Sequence, residues 1–360
     1  MQKVENADVT GKRVLVRVDF NVPLKDGKVA DDSRIRAALP TLELLHHNGA
    51  AKIILLTHLG EPKGVEESLR VAPVAQRLME LTQVPCELRE NLRFDPREEQ
   101  NDPVFARELA ALGDVYVNEA FSDSHRAHAS IVSLPKHLPS FIGLRFAEEI
   151  VGVTPALTPP KGALAIIGGA KFETKEPLLQ KLILQYEKVL LGGALGNDLL
   201  KARGHPFGES LVAPTPMPPE LSESDRLVAP ADVVVRESGA SAERTSAVND
   251  IRAHERVVDI GPKTAEAWSK EIAAATFVIW NGPMGVYEQS YADGTDALAR
   301  ALAAAVCRAV VGGGDTEAAL SKFEFDKSRI FVSMGGGAML EFLTHGTLVG
   351  LEALEHSPIA

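Results

Sequence analysis

Five apolar runs in the second half of this 360-residue chain, each long enough for a buried strand, stop abruptly at glycine or at Asn-Gly-Pro. They are Ala163–Ile167 before Gly168-Gly169, Val189–Leu191 before Gly192-Gly193, and Phe277–Trp280 before Asn281-Gly282-Pro283. Val310-Val311 runs into Gly312-Gly313-Gly314-Asp315-Thr316, and Ile330–Ser333 passes through Met334 into Gly335-Gly336-Gly337. Strands that end in glycine before a helix bring bare backbone N–H groups to one edge of a parallel sheet, where anions and nucleotides bind. A lone Gly-Gly is ordinarily a tight turn. Five at the same kind of position describe a phosphate-handling surface.

A chain of 360 residues exceeds one ordinary core, so two domains are expected. A formal net charge of −11 argues against nucleic-acid and anionic-membrane surfaces, which both reward clustered cations. Positive charge for a phosphate ligand must then be local. Cys86 and Cys307 lie far apart and suggest neither a disulfide framework nor a zinc site. The start, Met1–Gly11, lacks the apolar stretch of a signal peptide, and no run approaches membrane-spanning length. A cytoplasmic compartment is expected.

Strand-like runs alternate with helical patterns from end to end, the signature of doubly wound α/β architecture with parallel sheets, Rossmann-like in kind. In the first half, Arg13–Val18 reads as a strand, Pro40–His47 as a helix with Pro40 in its first turn, and Lys52–Leu56 as a second strand. Arg70–Leu81 reads as a helix and Asp114–Val117 as a strand. The boundary falls in the helical stretch Phe146–Val153 and the proline-rich Thr154–Lys161. This divides the chain into residues 1–150 and 151–345, with Pro214–Pro219 a loop in the second part.

The first half sets polar groups beside its strand ends: Asp19, Asn21, Arg34 on the loop after the first strand, His58, Arg93, and Arg126 in His125-Arg126-Ala127-His128. The arginine fork matches phosphate and carboxylate oxygens bidentately, so convergent arginines suit a small, strongly anionic ligand. Each taken singly can equally pair with a surface carboxylate. His125 and His128 lack partner cysteines and read as loop residues rather than metal ligands. His46-His47 reads as a solvated pair at a helix C-terminus.

In the second half, Lys171 follows Gly168-Gly169-Ala170, and Lys175 stands four residues on, where a helix would put both on one face. Two ammonium groups at a helix N-terminus are unfavourable unless an anion lies between them. Asp315, after three glycines, is placed to reach a magnesium ion on a nucleotide, and Glu288 to accept hydrogen bonds from ribose hydroxyls. Neither a Walker-type loop nor a Gly-x-Gly-x-x-Gly fingerprint is present, which argues against P-loop enzymes and dinucleotide dehydrogenases.

These motifs, in this order, resemble phosphoglycerate kinase over nearly the whole chain, from Arg17–Pro23 to Gly335–Ala338. Glu90–Phe94, His125–His128, Gly168–Lys171, Trp280–Gly285 and Gly312–Thr316 carry the resemblance most specifically. It implies a hinged enzyme of two α/β domains joined by a helix. The reaction would be reversible phosphoryl transfer from 1,3-bisphosphoglycerate to MgADP, giving 3-phosphoglycerate and ATP in glycolysis. By motif position the acid site would use Asp19, Asn21, Arg34, His58, Arg93 and Arg126. The nucleotide site would use Lys171, Lys175, Gly192, Gly193, Asn281, Glu288, Gly312, Gly313, Gly314, Asp315 and Thr316, with Asp315 on Mg2+. Arg34, Lys171 and the backbone at Gly336 would serve the transferring group, since transfer needs charge neutralisation and alignment. The C-terminal segment, residues 346–360, would return to the first domain, and a monomer acting on small molecules is expected.

This chain departs from the family at three places. An arginine of the family's His-Leu-Gly-Arg-Pro is Glu61 here, and Lys63 and Arg36 are the candidate substitutes. Losing a charge-assisted hydrogen bond costs about 1.5–3 kcal/mol. Met334 and Met339 replace two hydroxyl residues around the last glycine run. The span from Leu81 to Glu90 is short, as though a strand and a helix were missing and the remaining strand were a fusion of two. An alternative is a divergent relative that binds nucleotide with an altered acid site; a scaffold without catalysis ranks last, having no need of the lysine pair or Asp315.

Overall fold

The structure is a computed structural model that describes residues 2–237 and 242–358. Met1 and residues 359–360, the ends of the two segments expected in the first domain, lie outside the described residues. The chain divides into two compact units: Met1–Val151 with His345–Ala360, and Gly152–Thr344. The division falls inside the helix Leu144–Val153.

The first unit is built on five parallel strands in the order Cys86–Leu88, Lys52–Leu56, Arg13–Arg17, Val115–Asn118, Ser140–Ile142. Val14, Val16, Ile53, Leu55, Val115 and Val117 are buried against Leu42, Leu45, Val74 and Leu78 of the flanking helices. Burial on both faces is why these strands read as continuous apolar runs. The helix Pro103–Ala110 shows a sharp start: Asp102 accepts from the N–H groups of Val104 and Phe105, both at 2.8 Å, and Pro103 follows it. The helix Val349–Glu355 belongs to this unit, with the N–H of Gly350 donating to the carbonyl of Ser124 at 2.9 Å.

The first helix departs from expectation in its start and in the place of Arg34. The first helix spans Ser33–His47, so Pro40 lies inside it and Arg34 stands in its first turn, not on a loop. Ile35, Ala38, Leu42 and Leu45 recur at helical spacing and are all buried, and this stripe outweighs the roughly 3 kcal/mol that an interior proline costs. Between Leu81 and Glu90 stands a single three-residue strand, Cys86–Leu88, on the sheet edge.

The second unit carries six parallel strands, ordered Leu227-Val228, Lys188–Leu191, Ala163–Ile167, Phe277–Asn281, Arg308–Gly312, Ile330–Ser333. All five glycine-terminated runs are members. A three-stranded antiparallel sheet, with Asp232–Glu237 between Glu243–Ala247 and Glu255–Ile260, adds to the parallel plan expected from sequence. Among the described residues no helix is long and apolar enough to cross a membrane.

Candidate active site

In the first unit, the residues singled out in the sequence gather beyond the C-terminal ends of neighbouring strands. Asp19 follows the strand Arg13–Arg17 and accepts from Arg34 Nη1 and from the Ser122 hydroxyl. Asn21 Oδ1 accepts the N–H of Gly60 at 2.9 Å, and the carbonyl of Gly60 accepts from Arg93 Nη1 at 2.9 Å. The segment bearing Arg93 is held by Asn91, whose Oδ1 accepts from the N–H groups of Leu59 at 3.2 Å and Arg93 at 3.1 Å.

Arg93 is nearly fully buried, and its Nη2 has no hydrogen-bond partner among the described residues. Its Nε lies 3.3 Å from a carboxylate oxygen of Glu99. Burial, then the charge of Arg126, depresses its pKa, the mark of a cation in a crowded positive field. His58 feels the same field. Its pKa is pushed down to about 2, by burial first and then by Arg17 and Arg93, with Arg126 adding to the effect and Asp19 opposing it. His128 is similarly lowered to about 4, by burial and then by Arg93. His58 and His128 are therefore neutral, and the positive charge here belongs to the arginines. Glu61 is exposed beside Gly60. Of its candidate substitutes, Arg36 is engaged by Asp32 at 2.8 Å, while the Lys63 ammonium makes no ion pair among the described residues.

The second unit sets its glycine turns side by side along one sheet edge. Two places show why glycine is needed. Gly193 has φ +59, and a Cβ there would lie 2.7 Å from the nitrogen of Gly169. A Cβ on Gly336, at the start of the helix Gly336–His345, would lie 2.6 Å from the nitrogen of Gly313. Gly192 precedes the helix Gly193–Ala202 as its cap. Asn281 ends the central strand Phe277–Asn281, and its Nδ2 donates to the carbonyl of Gly336 at 3.4 Å. The hydroxyl of Thr316 accepts the N–H of Gly282 at 3.0 Å, tying the Gly312–Thr316 turn to this centre.

The lysine pair differs from expectation. The helix runs Phe172–Gln185, so Lys171 is its cap, in left-handed conformation with φ 66, and does not share a helical face with Lys175. The turn needs one residue at positive φ to steer the chain into the helix. Lys175 folds its ammonium back onto the carbonyls of Gly168 at 2.7 Å and Ala170 at 3.2 Å. Those oxygens, rather than an anion, make its position tolerable. Burial, then the charge of Lys171, brings its pKa down to about 8.

Asp315 stands in the first turn of the helix Gly314–Leu320, and Glu288 in the 3-10 turn Tyr287–Gln289. The Asp315 carboxyl is raised by burial and then by the charge of Glu288, so two exposed carboxylates act on one another across this rim. Among the described residues no group of three or more His, Cys, Asp or Glu side chains gathers as a metal site, and Asp315 offers the single carboxylate with which a protein holds a Mg2+ carried by phosphates. Met339 is fully buried, its sulfur and methyl placed 2.8 and 2.7 Å from where a Gly312 Cβ would stand. It packs under the turn as an apolar plug.

A family model described as phosphoglycerate kinase matches residues 4–89 and 86–346. The chain belongs to the phosphoglycerate kinase family. The phosphoglycerate kinase of Roseiflexus sp. (strain RS-1) is 43% identical over 388 positions, covering 98% of each chain, and that of Moorella thermoacetica is 44% identical over 386, again covering 98% of each. Among solved structures, the phosphoglycerate kinase of Coxiella burnetii matches with TM-score 0.82 and 33% identity over 97% of both chains. That of Pyrococcus horikoshii OT3 matches with TM-score 0.83 and 27% identity over 99% of both. As a phosphoglycerate kinase the chain is a phosphotransferase of glycolysis, and the alternative of a relative with an altered acid site is not favoured. The matched segments overlap at residues 86–89, and the aligned span with the Roseiflexus kinase exceeds the 360 residues present. The overlap places a shortening at the strand Cys86–Leu88, and the longer span shows that this chain lacks residues its relative has.

Sequence reading missed Arg17, Glu98, Ser122 and Asp123, which pack behind or beside the first-unit cluster. Arg17 had a signal: a lone cation inside the apolar run Val14–Val18 cannot face a core without partners.

Proposed function

We propose that the first unit binds the phosphoglycerate and the second the adenine nucleotide, with the phosphoryl group passing from the acyl phosphate oxygen to the terminal oxygen of ADP. The observation that carries this is the buried guanidinium of Arg93, with Nη2 unpartnered among the described residues, in the field of Arg126 and beside neutral His58. A buried donor without a protein partner is costly unless a ligand supplies the acceptor. Arg93, Arg126 and Arg34 would take the anionic oxygens, Asn21 and Asp19 would order the loop and Arg34, and His58 would add a neutral hydrogen bond.

In the second unit the glycine turns, Asn281 and Thr316 would form the phosphate cradle, Glu288 would take the ribose, and Asp315 would hold Mg2+. The ion would supply neutralisation of the phosphate charge. Lys171, Arg34 and the N–H at Gly336 would stabilise the charge that spreads over the equatorial oxygens during transfer. Substrates assigned to separate units require a closing motion, with the helix Leu144–Val153 as the connecting segment. A cytoplasmic monomer handling small molecules, without nucleic-acid or membrane partners, completes the proposal.

The test is steady-state ATP formation from 1,3-bisphosphoglycerate and MgADP, with Arg93→Met beside the parent chain. We expect turnover by the parent and a rise of about 10- to 100-fold in the KM for the acid substrate in the variant. An unchanged KM would remove Arg93 from the site.

A further inference from the structure

Behind the first-unit cluster runs a chain of hydrogen bonds whose direction is fixed at every link. The Arg17 side chain is almost wholly buried, and its guanidinium offers only donors. Its Nη1 donates to the carbonyl of Val18 at 2.6 Å and its Nε to the hydroxyl of Ser130 at 3.0 Å. The Ser130 hydroxyl donates to Oε1 of Glu98 at 2.5 Å, and Glu98 is fully buried. The remaining nitrogen, Nη2, lies 3.1 Å from Nδ1 of His58 and 3.1 Å from Oδ2 of Asp123.

A guanidinium donor facing Nδ1 requires that nitrogen to accept, which leaves the ring proton on Nε2. The competing arrangement, Nδ1–H to Asp123, spans 3.6 Å and is beyond a hydrogen bond. Arg17, Arg93 and Arg126 oppose a second proton on the ring, while Asp19 favours one and Asp123 lies nearby. Nε2 makes no hydrogen bond among the described residues, while the ring sits among Asp19, Arg93 and Arg126.

We propose that Arg17, braced by Ser130 and Glu98, is a positioning residue that locks His58 as the neutral Nε2–H tautomer, a fixed donor aimed at the acid substrate. The donor role rests on the proposed acid site; the lock itself does not. An uncharged donor at this point adds directionality where arginines supply charge, and it is indifferent to pH across the working range.

Long-range proton–nitrogen correlation spectra of histidine-labelled protein read the tautomer directly. We expect the Nε2–H pattern for His58 from pH 5 to 9, and an Nδ1–H pattern or proton uptake within that window would overturn the lock. In Arg17→Met the freed ring should turn Nδ1–H toward Asp123; a folded variant that kept Nε2–H would also overturn it. Should that variant fail to fold, the parent spectrum still decides. Glutamine places an amide near Nε2, and asparagine places one near Nδ1. His58→Asn should therefore raise the KM for 3-phosphoglycerate about tenfold more than His58→Gln. Equal losses would overturn the donor role and, beside an Nε2–H spectrum, locate the error in the acid-site assignment.

Discussion

The ammonium of Lys175 donates to the carbonyl oxygen of Gly168 at 2.7 Å, so a cation is seated on the very turn that presents N–H groups to the sheet edge. Its pKa, brought from 10.5 to about 8 by burial and then by Lys171, links this seat to pH. Between those values the unfolded chain holds a proton that the folded one has released, so stability rises as pH rises and is lost as pH falls through 8. Lys175→Met should abolish that slope in denaturation curves taken from pH 7.5 to 10.5. ADP binding at pH 8.5 should draw in a proton, which calorimetry in buffers of differing ionisation enthalpy will show; no uptake would mean the ammonium does not meet the nucleotide.

Lys171 holds a left-handed backbone that costs a residue with a side chain about 1 kcal/mol. Lys171→Gly should therefore unfold a few degrees later than the parent, while losing at least about 100-fold in turnover. ADP affinity should change little. A variant with parental turnover would show that the exposed ammonium is not the group that meets the transferring phosphoryl.

Glu61 is exposed, next to the glycine whose N–H serves Asn21 and whose carbonyl serves Arg93. Glu61→Arg should lower the Kd for 3-phosphoglycerate about tenfold or more, by removing a like charge and adding a donor. An unaltered Kd in equilibrium binding would show that position 61 does not face the anion.

Glu119 accepts from the Thr41 hydroxyl at 2.6 Å and from the N–H of Arg145 at 3.1 Å, in the first turn of the helix Leu144–Val153. Burial raises its pKa from 4.5 to about 7. The stability it contributes is fully present below 4.5 and is lost as pH rises through 7, because the folded chain keeps a proton that the unfolded one releases. Glu119→Gln should flatten that loss in urea titrations at pH 5, 6, 7 and 8. A parental slope would assign the pH dependence elsewhere.

The glycine-terminated strands were legible because the signal is local: an apolar run plus glycine is read without knowing its neighbours in the sheet. The antiparallel strands were not, since Glu243–Ala247 is largely polar and becomes a strand only through pairing with Asp232–Glu237. The start of the first helix was obscured by Pro40, whose local cost is overridden by the buried stripe from Ile35 to Leu45. The charged residues of the candidate site could be named from motifs. The carbonyl partners of Lys175 and the chain from Glu98 to His58 depend on side-chain direction and long-range contact, which spacing does not encode.

The edge strand Cys86–Leu88 is three residues long, and its middle residue, Glu87, is tied to Lys52 and Arg89. A sheet edge is a template on which other chains can add strands, and brevity and charge both spoil that template. Shortening the first unit thus leaves a border that resists fibril-like growth, so the protein can shed part of a domain without acquiring a surface that polymerises.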